Sequence, residues 1–170
     1  NIRLGLLLAM AQNADVMILD DPALALDPIM RKEFNRDLVA HLHEREATLL
    51  YSSHLLAEVE AVADHIAILH EGKIVKHAGV EELREEVKQL VFPAIHYRKL
   101  NSRLQVLDFE HSGSDVAIVV DNVSSALAVL VEWEIEHQVV DLNLDEIFEA
   151  FVIGRRSERI ESAVLVEAQS

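Results

Sequence analysis

Apolar positions in the first half of the chain fall in short runs that are separated by segments of helical spacing. One of these runs, residues 16–19, is typical of a strand that is buried on both faces of a parallel sheet, and residues 48–53 are a second short strand candidate. Asp27 precedes Pro28, and this pair is typical of a helix that an aspartate caps and a proline begins. Strands and helices therefore alternate, and this order predicts an α/β fold with a parallel sheet.

The rest of this part contains a hairpin and further helices. Glu71 and Gly72 separate two short apolar runs and predict a two-residue hairpin turn. Three other helices are predicted from the spacing of apolar positions, over residues 2–11, 55–63 and 80–90. The first of these is apolar on nearly every side, so we expect it to be buried.

The pattern weakens across residues 91–103, where Phe92 and Pro93 break the preceding helix, and we place a linker there. The segment that follows has five predicted elements in the order β-β-α-β-α, over residues 104–110, 116–121, 122–137, 138–142 and 143–151. Asn143 and Glu146 have the spacing of a capping box at the start of the last helix. We therefore predict a small α+β accessory domain over 104–154 and a tail over 155–170.

Composition excludes several classes of protein. The 170 residues are 51% hydrophobic with a mean hydropathy of +0.16, which is too apolar for a disordered chain. The net charge is −15 and no basic run is present, so nucleic acid is not expected to be the main partner. The chain has no cysteine, which excludes disulfides, thiolate metal sites and cysteine nucleophiles. Because Asn1 falls inside a predicted helix, we expect the chain to be a piece of a longer one.

Candidate chemistry begins with two adjacent carboxylates, Asp20 and Asp21, at the end of the first strand. Ligands bind at the carboxyl ends of parallel strands. A carboxylate there can hold Mg²⁺, usually through water, and a second one can orient or deprotonate a water molecule. The alternative is that Asp20, Asp21 and Pro22 form only a turn that ends the strand.

Four segments of the sequence change this picture: RLGLLLAMA at 3–11, VMILDDPALALDP at 16–28, YSSHLLAEVE at 51–60 and HIAILHEGKIVKHAG at 65–79. In the same order, they resemble parts of the ATP-binding subunits of ABC transporters. These parts are the helix after the signature loop, the Walker B strand with its D-loop, the switch-histidine segment and the strand pair after it. The resemblance covers roughly residues 1–90. It implies an incomplete P-loop NTPase (RecA-like) parallel sheet with flanking helices. The closing segment NLDEIFEAFVIG resembles export-type and multidrug-type subunits.

The resemblance also implies roles for individual residues. Asp20 would act on Mg²⁺ through water, and Asp21 stands where the family has the glutamate that polarises the attacking water. His54 would be the switch histidine that reaches the γ-phosphate of ATP. Asp27 would lie in the D-loop, which meets the nucleotide site of a second ATP-binding subunit. The implied cofactors are ATP and Mg²⁺, and the implied partners are that second subunit and a membrane permease. The complete subunit would be cytoplasmic, peripheral on the cytoplasmic face of the membrane.

Departures from the family pattern limit what we expect of this chain alone. Asp21 is one methylene shorter than glutamate, which sets its carboxylate back by about 1.5 Å, and so we expect slow hydrolysis. Ala23, Leu24 and Ala25 replace a stretch that is usually smaller and more polar. The sequence contains neither a G-x-x-x-x-G-K-[ST] phosphate loop nor a signature loop. We therefore do not expect the chain alone to bind ATP tightly or to hydrolyse it.

Two alternatives remain. One is a degenerate, non-hydrolysing regulatory or binding partner of a transporter, which the shorter Asp21 and the altered D-loop favour. The other is a small hydrolase that uses Ser52 or Ser53 with His54. The second alternative is disfavoured because no nucleophile-elbow glycines flank these serines.

Overall fold

The computed structural model describes residues 5, 8, 11–12, 14–24, 26–100 and 103–154. The chain forms two compact units, Asn1–Ala63 and Asp64–Ser170, which are described separately below. The predicted tail over 155–170 and most of the segment RLGLLLAMA lie outside the described residues.

The first unit confirms the predicted alternation of strands and helices. Strand β1 (Val16–Asp20) and strand β2 (Thr48–Ser52) pair in parallel, and helices α1 (Pro28–Arg45) and α2 (Leu56–Val62) follow them in turn. The register places Val16 opposite Thr48 and Asp20 opposite Ser52. The two carboxyl ends are therefore level with each other.

The predicted cap of α1 is present. Oδ1 of Asp27 accepts hydrogen bonds from the backbone N–H groups of Ile29 and Met30, each at 3.0 Å. Pro28 occupies the first helical position, where it has no N–H group that would need a partner. The helix ends at Glu46, whose left-handed backbone (φ 53°) stops further helical hydrogen bonding.

The prediction that β1 is buried on both faces is wrong within the described residues. Met17 is buried, but Ile18 is 72% exposed and its neighbour Leu50 is 63% exposed. Side chains alternate across a strand, so one face of the sheet is packed and no described element covers the other. Leu8, in the helix predicted to be buried, is 56% exposed. The apolar run therefore marked the strand correctly but not its burial.

The second unit opens with the predicted hairpin. Strands β3 (His65–His70) and β4 (Lys73–Gly79) pair antiparallel, and helix α3 (Val80–Glu86) follows. Glu71 and Gly72 join the strands with positive φ angles of 48° and 76°. This combination matches the hand of the twist in the flanking strands and is the usual geometry of a two-residue hairpin turn.

The rest of the second unit contains a four-stranded antiparallel sheet, with strands β5 (Lys88–Pro93), β6 (Val106–Ser112), β7 (Asp115–Val120) and β8 (Gln138–Asp141). The order of the strands in the sheet is β6-β7-β5-β8. The helices of this part are a 3₁₀ turn (Ala94–His96), α4 (Tyr97–Leu100), α5 (Val123–Glu132) and α6 (Leu144–Val152). The predicted β-β-α-β-α order is observed from β6 to α6. The capping box of α6 is also present, formed by Asn143 and Glu146.

The structure differs from the sequence analysis between residues 88 and 103. The helix predicted to reach residue 90 ends at Glu86, and the predicted linker begins inside β5, which pairs with both β7 and β8. Leu90 and Phe92 alternate toward the core, with 0% and 1% exposure, and Leu100 is fully buried as well. This short period-2 alternation was missed in the sequence because the strand follows the glutamate-rich helix α3 almost without a break.

Replacement of Phe92 by alanine tests whether this segment is core or linker. A buried Phe→Ala change costs roughly 3–5 kcal/mol in the free energy of unfolding. The fluorescence of Trp133, the single tryptophan, reports on the same unit during urea unfolding. The matched control is Ile95→Ala, because Ile95 is 81% exposed. A Phe92→Ala variant as stable as the control would contradict the assignment of β5 to the core.

Candidate functional site

Polar side chains meet at the carboxyl ends of β1 and β2. The hydroxyl of Ser52 donates a hydrogen bond to Oδ1 of Asp20. The backbone N–H of Asp21 donates to the carbonyl oxygen of Ser52 at 3.0 Å and lies 3.1 Å from its hydroxyl oxygen. One serine therefore holds both aspartates.

Asp21 and His54 are in direct contact. Nδ1 of His54 lies 2.7 Å from Oδ2 of Asp21. An ionised carboxylate can only accept a hydrogen bond, so the ring carries its proton on Nδ1 in this contact. His54 has a side chain that is 57% exposed, so Nε2 is the ring nitrogen left for a ligand. Nε2 accepts a hydrogen bond when the ring is neutral and donates one only when the ring is protonated.

Asp21 has two further features typical of a functional position. Its backbone adopts the left-handed conformation (φ 44°), which is uncommon for a residue other than glycine. Its Oδ1 atom is buried and has no hydrogen-bond partner in the described part of the chain. Since a buried carboxylate oxygen without a partner is costly, this atom is suited to a water molecule or a cation.

Asp27 stands apart from these residues. Its carboxylate caps α1, and no hydrogen bond or ion pair of the described residues joins it to Asp20, Asp21 or His54. The structure thus brings three of the four predicted site residues together and uses the fourth as a helix cap.

The two serines are engaged in other contacts. Ser52 holds the aspartates, and the hydroxyl of Ser53 accepts a hydrogen bond from the N–H of Leu55 at 3.0 Å. Neither serine is hydrogen-bonded to His54 within the described ranges. This geometry gives no support to the serine hydrolase alternative.

The acidic pair fits part of a magnesium site. Carboxylate oxygens are the ligands Mg²⁺ prefers, and the ion commonly takes one or two from protein while phosphate and water supply the rest. Among the described residues, no group of three or more histidines and carboxylates could hold a metal ion unaided. Asp20 and Asp21 therefore suit an ion that is shared with a phosphate ligand.

Sequence reasoning missed a buried polar network beside the site. Glu58 on α2 is only 8% exposed, and its Oε2 accepts a hydrogen bond from the Tyr51 hydroxyl at 3.2 Å. Nη1 of Arg31 lies 3.3 Å from Oε1 of Glu58, and Nε of Arg31 donates to the carbonyl of Leu26 at 2.8 Å. The only sequence signal was the presence of two acidic residues, Glu58 and Glu60, in a short apolar helix, and this pattern is too common to single out Glu58.

The network alters the chemistry of Tyr51. Burial is the main cause that raises the pKa of this phenol, and the negative charge of Glu58 and its hydrogen bond add to the effect. The carboxylate of Asp21 raises the pKa further, while Arg31 opposes the rise. Tyr51 therefore remains neutral well above its ordinary titration range near 10.

The first unit is thus an α/β structure with an acidic and imidazole site at the carboxyl ends of parallel strands, the usual place for phosphate ligands in such sheets. No family model matches the chain. Curated relatives do match it. The bacitracin transport ATP-binding protein BcrA of Bacillus licheniformis is 36% identical over 117 residues, which are 69% of this chain and 33% of the relative.

Two further relatives agree with this match. The uncharacterized ABC transporter ATP-binding protein YhcH of Bacillus subtilis (strain 168) is 30% identical over 169 residues, 95% of this chain and 54% of the relative. The lantibiotic transport ATP-binding protein SrtF of Streptococcus pyogenes is 37% identical over 86 residues, 49% of this chain and 37% of the relative. The chain belongs to the family of ABC transporter ATP-binding subunits.

The chain spans about a third of the length of BcrA and about half that of YhcH. No helix in the described part of the chain is long and apolar enough to cross a membrane.

Tyr51 predicts how stability changes at alkaline pH. Because its pKa is raised in the folded state, the unfolded chain loses this proton first as pH rises past 10, so the free energy of unfolding falls. Tyr51→Phe should make this fall shallower in urea titrations between pH 8 and 11, followed by circular dichroism. Burial also raises the pKa of Tyr97 in the second unit, so Tyr97→Phe should make the fall shallower as well and is a second test of the same effect. An unchanged slope in Tyr51→Phe would contradict the buried environment of this phenol.

Proposed function

We propose that this chain is the later part of an ATP-binding subunit of an ABC transporter, which binds and hydrolyses ATP to drive transport through a membrane permease. The observation that carries the proposal is the contact of His54 with Asp21 beside Asp20, in a chain of this family. Hydrolysis of a phosphoanhydride depends mainly on positioning and charge neutralisation, and these residues offer both.

Asp20 would bind Mg²⁺ through water. Ser52 holds one of its two carboxylate oxygens, so the carboxylate has a fixed orientation and its second oxygen is left for the ion's hydration shell. When bound, Mg²⁺ would neutralise charge on the phosphates of ATP. Asp20 would therefore hold the hydrated ion in a fixed direction, which the pairing of β1 with β2 sets.

Asp21 and His54 would share the work at the γ-phosphate. Oδ2 of Asp21 fixes the imidazole, and the unpartnered Oδ1 is the atom that would orient the attacking water. His54 would meet the phosphate through Nε2. Since Nδ1–H is committed to Asp21, donation from Nε2 to a phosphate oxygen requires the protonated ring.

Several wider features belong to the same proposal. Residues 1–90 would be the C-terminal part of a P-loop NTPase domain of the RecA-like kind, and residues 104–154 an accessory domain. The loop at Asp27 would meet a second ATP-binding subunit, and the assembled subunits would sit under a permease on the cytoplasmic face of the membrane. The segment 143–154 supports an export or multidrug type.

Exchange of Asp21 for glutamate in the complete subunit tests this proposal. The added methylene should advance the carboxylate by about 1.5 Å and raise ATP turnover on the order of 100-fold, the effect of a misplacement of that size. Asp21→Asn should abolish turnover, and Asp37→Glu on the exposed side of α1 is the matched control. Steady-state phosphate release is the measurement.

A second candidate is a degenerate partner that binds a transporter and does not hydrolyse ATP. The side chain at position 21 favours it, because aspartate is one methylene shorter than the family's glutamate and its carboxylate would lie about 1.5 Å further from the attacking water. A complete subunit that binds ATP, yet hydrolyses none with either aspartate or glutamate at position 21, would establish this candidate and overturn the first.

A further inference from the structure

Among the described residues, Glu58 is a buried acid that lies outside the candidate site. It is 8% exposed, and its two carboxylate oxygens face different partners, the Tyr51 hydroxyl and the Arg31 guanidinium. Ion pairs that are buried in this way add little net stability, because the loss of hydration offsets the attraction. Its contacts therefore point to positioning rather than to stability.

The contacts of Arg31 extend to the loop that precedes Asp27. Its Nε donates to the carbonyl oxygen of Leu26 at 2.8 Å, while Nη1 lies 3.3 Å from Glu58. A guanidinium offers several donors in a rigid fork, so it can hold two partners at once. A lysine has one ammonium at the end of a flexible chain and cannot reproduce both contacts.

The other end of the network reaches the candidate site. Tyr51 directly precedes Ser52, whose hydroxyl and carbonyl hold Asp20 and Asp21. Glu58 lies on α2, four residues after His54. The path Leu26, Arg31, Glu58, Tyr51 therefore joins the loop at Asp27 to both chain segments that carry Ser52 and His54.

We propose that Arg31 and Glu58 are positioning residues that fix the Asp27 loop relative to the His54 segment. Only the functional role of this link rests on the proposed function, in which the Asp27 loop would face the second ATP-binding subunit and His54 would face the γ-phosphate. The network would then transmit a movement of the loop at the subunit interface to the hydrolytic residues. The physical link is a property of the chain itself and needs no nucleotide.

Amide hydrogen exchange in the 170-residue chain tests the link. The Leu24 and Leu26 amides close the turns of this loop, and Arg31→Lys should speed their exchange by about tenfold, the size expected for loss of the hydrogen bond from the guanidinium to Leu26. Glu58→Gln removes the charge that pairs with Arg31 and should speed exchange at the same amides. The exchange rate of the Leu38 amide, in the interior of α1, should change by less than about twofold, since both variants act locally.

The controls are Arg36→Lys and Glu33→Gln on the exposed side of the same helix, which should leave all of these amides unchanged. A second readout is the ultraviolet titration of Tyr51 in a Tyr97→Phe background. Glu58→Gln should lower the pKa of Tyr51, because it removes a neighbouring negative charge.

Three results would overturn the proposal. One is unchanged exchange at Leu26 in both variants. Another is equal acceleration at Leu26 and Leu38, which would mark a merely structural role. The third is exchange at Leu24 and Leu26 in Arg31→Lys at the same rates as in the unaltered chain. Because no result depends on ATP, failure of the link is distinguishable from failure of the proposed hydrolysis.

Discussion

The pairing of Asp20 with Ser52 at the ends of two parallel strands is the constraint on which the candidate site depends. It brings the serine hydroxyl to Asp20 and the serine backbone to Asp21, so that one residue holds both carboxylates. A shift of one residue would turn Ser52 to the other face of the sheet and separate it from both. The position of His54, two residues later, follows from the same register.

The two faces of the sheet that carries this pairing differ in how far they are buried. The face of the sheet that bears Met17 is packed, while the face that bears Ile18 and Leu50 is exposed in this chain. Below the strand ends, Glu58 and its partners tie the two helices and the Asp27 loop to β2. The site is therefore held from one side by a polar network and from the other by main-chain pairing.

Much of this arrangement is predictable from the sequence because it depends on local signals. The apolar run before Asp20, the cap at Asp27 and the turn at Glu71 and Gly72 each act within a few residues. Strand β5 was missed because its alternation spans only six residues and follows a charged helix. The Glu58 network joins residues far apart in sequence, and no spacing rule identifies such partners. The contact of His54 with Asp21 required the observed register before it could be stated.

The protonation of the His54 ring tests this account most directly. Since Asp21 accepts a hydrogen bond from Nδ1, two-bond ¹H–¹⁵N correlation spectra of the neutral ring should show the proton on Nδ1. Asp21→Ala should remove this preference, while Asp37→Ala should leave it intact. A neutral ring that carries its proton on Nε2 in the unaltered chain would contradict the contact, and with it the proposed arrangement of the site.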